Sequence, residues 1–127
     1  MKRPGPYACF DVGMFEDELF ANLGAKSQLT FIKLCCYAAS ERTDGRIPTA
    51  LIPQLLAAAG ATRRALNQLI ECGLVQKLPI TDGYYLPAYL KWNPSREELE
   101  RNRENWKRRQ AEKRVRERGE NIVQLRP

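Results

Sequence analysis

Arg63, Arg64, Asn67, Gln68 and Glu71 lie within one short stretch and carry the side chains that read nucleic-acid bases. A guanidinium bonds guanine O6 and N7 together, an Asn or Gln amide matches the donor and acceptor of adenine, and a carboxylate accepts from cytosine N4. At 100° per residue, Arg64, Asn67, Gln68 and Glu71 project away from the apolar stripe of Leu66, Leu69 and Ile70. The spacing therefore predicts a helix over 63–72, with Thr62 as its N-cap, Gly73 as its stop and those four residues as its exposed face. An ordinary solvated helix surface is the alternative, because Arg, Asn, Gln and Glu are what any exposed helix carries. Lys77 and Thr81, shortly downstream, are placed to hold backbone phosphates, which positions a protein without reading sequence. Tyr84-Tyr85 invites base stacking, although adjacent strand residues face opposite ways and one of the two must turn inward.

Other chemistry is poorly provided for. The 127 residues contain no His, which removes imidazole metal sites, Ser-His and Cys-His nucleophile pairs and the usual general base near neutral pH. Cys9, Cys35, Cys36 and Cys72 form no Cys-x-x-Cys pair, so they are expected to be reduced thiols that pack as small hydrophobes. No catalytic residue, metal or cofactor is expected. Net charge is +6, of which +4 falls on residues 94–127, and such an excess favours a polyanion or an acidic protein surface as partner. No run approaches membrane-spanning length, so a cytoplasmic location is expected.

The elements that would position these residues follow from hydrophobic spacing. Residues 1–9 read as a flexible basic arm and Phe10-Asp11-Val12 as a short strand. Phe15, Leu19, Phe20 and Leu23 recur at helical spacing up to Gly24. Ser27 is placed to cap a second helix that is apolar around much of its circumference and is the expected core helix, ended by a Thr43-Asp44-Gly45 turn. Arg46-Ile47-Pro48 suits a one-bridge strand. Leu51, Ile52, Leu55, Leu56 and Ala59 then carry a helix to Gly60, with Pro53 in its first turn. Residues 74–78 and 84–86, joined by a loop ending Asp82-Gly83, read as a β-hairpin. Helix, tight turn, second helix, hairpin is the layout of a winged helix-turn-helix, here over 10–93. The expected class is mainly α with a small hairpin wing, followed by a long charged helix.

That final helix is expected over 97–118, started by a Ser95/Glu98 capping box and laced by Glu97/Arg101, Glu104/Arg108 and Glu112/Arg116 pairs. Leu99 and Trp106, seven apart, share one side. From Gly119 the extension over 94–127 is expected to fray, apart from an apolar cluster at Ile122, Val123 and Leu125. Lys107, Arg108, Arg109, Lys113 and Arg114 are its candidate phosphate contacts, although six acids in the same helix weaken their field.

Three patterns carry a resemblance: Asp44-Gly45-Arg46-Ile47-Pro48, Gly73-Leu74-Val75, and Tyr89-Leu90-Lys91-Trp92-Asn93-Pro94-Ser95-Arg96-Glu97-Glu98 leading into a basic helix. In this order the chain resembles the winged-helix domains of phage and prophage replication-initiation and replisome-organiser proteins, and small phage helix-turn-helix DNA-binding proteins, over roughly 10–118. The resemblance implies duplex DNA binding in phage replication or gene control, with the 63–72 helix in the major groove. Longer initiators carry an additional domain that recruits a helicase loader, and here the charged helix stands in its place. An adaptor that engages a host transcription or replication protein through the winged helix and charged helix is the alternative. A homodimer would follow if the DNA site were an inverted repeat.

Overall fold

The computed structural model describes residues 7–124, with side chains through residue 119. Residues up to Ser95 form one compact unit and those from Arg96 a second.

The first unit begins with two aspartate caps. Asp11 accepts from the Gly13 amide at 3.0 Å and opens a 3-10 turn, Val12–Glu16. Asp17 repeats the device on Leu19 at 2.9 Å and opens α1, Glu18–Ala21. The strand expected at Phe10-Asp11-Val12 is thus replaced by a turn, because a local side-chain acceptor satisfies the backbone that a strand would have left unpaired. The same extended Asp17 backbone splits what reads as one helix over 15–23. Gln28 closes the segment by donating from Nε2 to the carbonyls of Phe20 at 3.0 Å and Leu23 at 3.2 Å.

Helix α2, Ala25–Glu41, is the core helix, with Phe31, Leu34, Cys35 and Ala38 fully buried. Its N-cap is Gly24, not Ser27, which sits buried inside the first turn. Arg42 adopts the left-handed conformation (φ 53°), so that the Thr43 amide reaches the Ala38 carbonyl at 3.1 Å and ends the helix. Asp44 (φ 57°) and Gly45 (φ 89°) complete the turn into β1, Arg46–Pro48.

A 3-10 turn leads into α3, Ile52–Ala58, with Pro53 in its first turn where no amide is missed. Gly60 (φ 64°) lets the Ala61 amide return to Leu56 at 2.9 Å, and α4 follows as Arg63–Glu71. Gly73 (φ 84°) ends α4 by the same closure, with the Leu74 amide on Leu69 at 3.0 Å. The hairpin is shorter than its hydrophobic runs: β2 is Gln76–Lys77 and β3 is Gly83–Tyr85. Residues 46–48 do more than bridge once. They pair antiparallel along all of β3, giving a three-stranded sheet of order β1-β3-β2 in which Ile47 and Lys77 both register on Tyr84. Ile47, Tyr84 and Leu86 point into the core against α2 and α4, and α5, Tyr89–Trp92, closes the unit.

The arm expected over 1–9 lies partly outside the described residues; at its end, Cys9 is fastened. Asn93 Oδ1 accepts from the Cys9 amide at 2.6 Å and Nδ2 donates to the Cys9 carbonyl at 3.0 Å. Phe10 lies against Trp92, ring centroids 6.4 Å apart.

All four cysteines are free thiols. Burial, and secondarily the neighbouring Cys36, pushes the Cys35 thiol up to about 12. Neutral thiol is therefore favoured by folding: the stabilisation is complete below the ordinary value of 9.0 and is lost as pH rises through about 12. A thiol reagent at pH 8 is expected to label exposed Cys9 and Cys36 quickly, and Cys35 only as fast as the unit opens. Labelling of Cys35 at the rate of Cys36 would contradict this.

The second unit is α6, Arg96–Gln124, which continues past the fray expected from Gly119. The side chains of Ile122 and Val123, and Leu125 altogether, lie outside the described residues. Ion pairs form at Arg96–Glu100 (3.4 Å) and Lys113–Glu117 (4.0 Å), not at the three expected Glu/Arg positions, and Arg108 donates to Asn105 at 2.8 Å. All are exposed, where such pairs contribute about 0.3–0.5 kcal/mol and geometry is loosely chosen. Among the described residues no helix is long and apolar enough to cross a membrane, and no group of three His, Cys, Asp or Glu is placed to hold a metal.

Candidate nucleic-acid interface

Helix α4 packs Ala65, Leu66 and Leu69 into the core, which fixes what its other side offers. Arg64, Asn67 and Glu71 are exposed on it, as their spacing predicts. Gln68 is not part of that open face. It is half-buried, and its Oε1 accepts from the hydroxyl of buried Ser27 on α2 at 2.5 Å. A helical wheel places Gln68 outside because the wheel carries no neighbour, whereas α2 crosses at this point. Ser27, which reads as a helix cap, is spent on the same contact.

Arg63 is exposed along its length but tied at its tip. Its Nη2 donates to the Tyr84 hydroxyl at 2.9 Å, with the guanidinium carbon 6.0 Å from that ring's centroid. Tyr84 is only 2% exposed, so base stacking by this ring is ruled out by its position in the core, and its hydroxyl takes the arginine as partner. Tyr85, on the opposite face, is half-buried. The Arg63–Tyr84 bond joins the first residue of α4 to the middle of β3, and fixes the helix start against the sheet. Thr62 has the extended backbone of an N-cap but makes no side-chain cap bond. The Ala65 amide donates to the Thr62 carbonyl at 3.0 Å, and the Thr62 side chain caps none of the amides that precede it, beside Arg64.

The hairpin contributes Lys77 from β2 and Thr81 from the loop, both exposed. Between them the loop carries Ile80, 95% exposed, followed by the acidic Asp82. An apolar tip beside a carboxylate is a weak phosphate clamp, so Lys77 is the hairpin's one strong candidate. Ile80 falls in the loop that the sequence places between the two runs, and it stands out from it.

On α6, Lys107, Arg108, Arg109, Lys113 and Arg114 are all exposed. They do not share a face. At 100° per residue Arg109, Lys113 and Arg114 fall within a quarter turn of Trp106, whereas Lys107 and Arg108 point sideways and behind. Comparison of the chain with protein-family models, with curated proteins and with solved structures finds no match.

Proposed function

We propose that this chain binds duplex DNA as a winged helix-turn-helix, with α3 and α4 as the helix pair, β2 and β3 as the wing and α4 in the major groove. The observation that carries the proposal is the α4 surface. Arg64, Asn67 and Glu71 stand exposed, while Arg63 fastens the same helix end to a sheet of order β1-β3-β2. An α-helix, about 10–12 Å across with its side chains, matches a major groove about 12 Å wide. Arg64 is then the base reader, Asn67 a second, and Lys77 and the α4 amides position the backbone. A role in the replication or gene control of a phage is what the resemblance adds.

The test is selection of bound genomic fragments followed by two substitutions. Arg64→Ala is expected to weaken the selected site by about 1–3 kcal/mol with the melting temperature unchanged. Arg63→Ala is expected to lower both, because it also strands the buried Tyr84 hydroxyl. Equal binding by wild type and Arg64→Ala would remove α4 from the interface. An inverted repeat in the selected site would make the bound form a dimer.

An adaptor that docks on a host protein is the alternative, and one observation favours it. Val12, Phe15 and Leu19 are exposed apolar residues on consecutive turns at the start of the first unit. Negligible affinity for random duplex DNA at moderate salt would favour this role.

A further inference from the structure

The net charge of α6 is unevenly distributed around its axis, and its positive side centres on Trp106. The indole is 62% exposed. At 100° per residue, the quarter turn on either side of Trp106 carries Arg96, Asn102, Arg103, Arg109, Gln110, Lys113, Arg114 and Arg116, all exposed except half-buried Gln110. Two carboxylates share this side, Glu117 about 20° from Trp106 and Glu98 at its edge. Glu100, Glu104 and Glu112 fall on the other side, together with Arg101, Lys107, Arg108 and Val115. A shallow hollow bounded by Arg109, Gln110, Lys113 and Arg116 runs along the Trp106 face and is closed by Glu117, which pairs with Lys113 at 4.0 Å. Over 96–118 the Trp106 side carries six cations, Arg96, Arg103, Arg109, Lys113, Arg114 and Arg116, against Glu98 and Glu117, whereas the other side carries four cations against four acids, so the helix's excess positive charge lies where the tryptophan stands.

From this we infer that the Trp106 face of α6 is a binding site for an unpaired nucleotide within a phosphate backbone, as a single strand or a nucleic-acid loop presents. Six cations against two acids on this side match a polyanion, and an exposed indole in their midst matches the face of a base. In an intact duplex the base faces are already stacked on each other, so the indole would have nothing to cover. A membrane surface fits poorly, because among the described residues Leu99 is the only other large apolar side chain on this face and Val115 lies behind it. The site is distinct from α4 and stands whether or not α4 reads duplex DNA.

The experiment measures binding of the full chain to three labelled probes with equal numbers of phosphates: single-stranded DNA, an RNA hairpin with an unpaired loop, and blunt duplex DNA of random sequence. Unpaired probes are expected to bind roughly tenfold or more tightly than the duplex and to quench the Trp106 fluorescence. Trp106→Ala should abolish that preference, and Trp106→Phe should keep most of it. Replacing Arg103, Arg109, Lys113 and Arg114 by Gln leaves a good helix former at each place, and should flatten the salt dependence by about 2 units if three of them touch phosphates. Replacing Lys107 and Arg108 by Gln should change it little. Tighter binding of the hairpin than of the DNA strand would assign contacts to the 2′-hydroxyl; equal binding would assign single strands in general. Unchanged binding of Trp106→Ala to every probe would overturn the site, as would Trp106-dependent binding to anionic vesicles or polyglutamate without binding to nucleic acid. Arg64→Ala separates the two interfaces, since it should weaken the selected duplex site alone.

Discussion

Asn93→Ala is expected to destabilise the first unit by about 2–4 kcal/mol, because one buried side chain holds two distant stretches of backbone. Asn93 is 5% exposed. Its amide makes three bonds: Oδ1 from the Cys9 amide at 2.6 Å, and Nδ2 to the carbonyls of Cys9 at 3.0 Å and Tyr89 at 3.1 Å. Each such bond contributes about 0.5–1.5 kcal/mol net, and truncation also loosens the Phe10 ring from Trp92. For a unit of this size the melting temperature should fall by roughly 10–25 °C. Asn93→Asp is the sharper variant. It keeps the acceptor for the Cys9 amide but turns a carboxylate toward two carbonyl oxygens, so it should be no better than Ala at pH 7 and should recover when protonated in acid. A melting temperature within a degree or two of wild type for Asn93→Ala would show that the N-terminal segment is not held as described.

What the sequence reveals here is what is encoded locally. Gly60 and Gly73 announce the ends of α3 and α4 because a left-handed residue closes a helix over a six-residue loop, and Leu66 and Leu69 are legible as core because their period is that of the helix they lie in. Strand alternation requires one of Tyr84 and Tyr85 to face inward without saying which, and it is Tyr84. Long-range pairings escape. Ser27 looks like a cap and Gln68 like a solvent residue, yet they meet across 41 positions; Asn93 and Cys9 meet across 84. No local propensity distinguishes a serine that caps from one that waits for a glutamine. Arg63 was singled out for its charge, and its bond to Tyr84 depends on a sheet register that the short hairpin runs do not specify. On α6 the opposite holds: the wheel of an isolated helix is computable from sequence, but counting acids and bases along the chain, rather than around it, conceals that the excess of bases falls on the Trp106 side.

Gly45→Ala should be the most damaging of the glycine substitutions in the turns, and its effect should reach α4. Gly45 has φ 89°, where an L side chain is strained, and a Cβ there would lie 3.0 Å from Tyr89 Cβ and 3.2 Å from the Leu86 carbonyl. Neither neighbour is the end of a flexible chain, so the backbone itself must yield. Left-handed strain of about 1–2 kcal/mol and overpacking of about 1–3 kcal/mol together predict a loss of roughly 2–5 kcal/mol. Gly60→Ala supplies the control: φ is 64°, nothing lies within 4 Å of its Cβ, and only the conformational part, about 1–2 kcal/mol, is expected. The Gly45 carbonyl also accepts from the Leu86 amide at 2.9 Å, one residue beyond β3. Displacing it shifts β1 and β3, and with them Tyr84 and the Arg63 bond that fixes the start of α4. Gly45→Ala is therefore expected to weaken binding to a selected duplex even at temperatures where the variant is fully folded by circular dichroism, whereas Gly60→Ala at matched folded fraction should bind more nearly as wild type. Equal stability losses at the two glycines would mean that the turn around Gly45 relaxes freely, and the mechanical link from that turn to α4 would then fail.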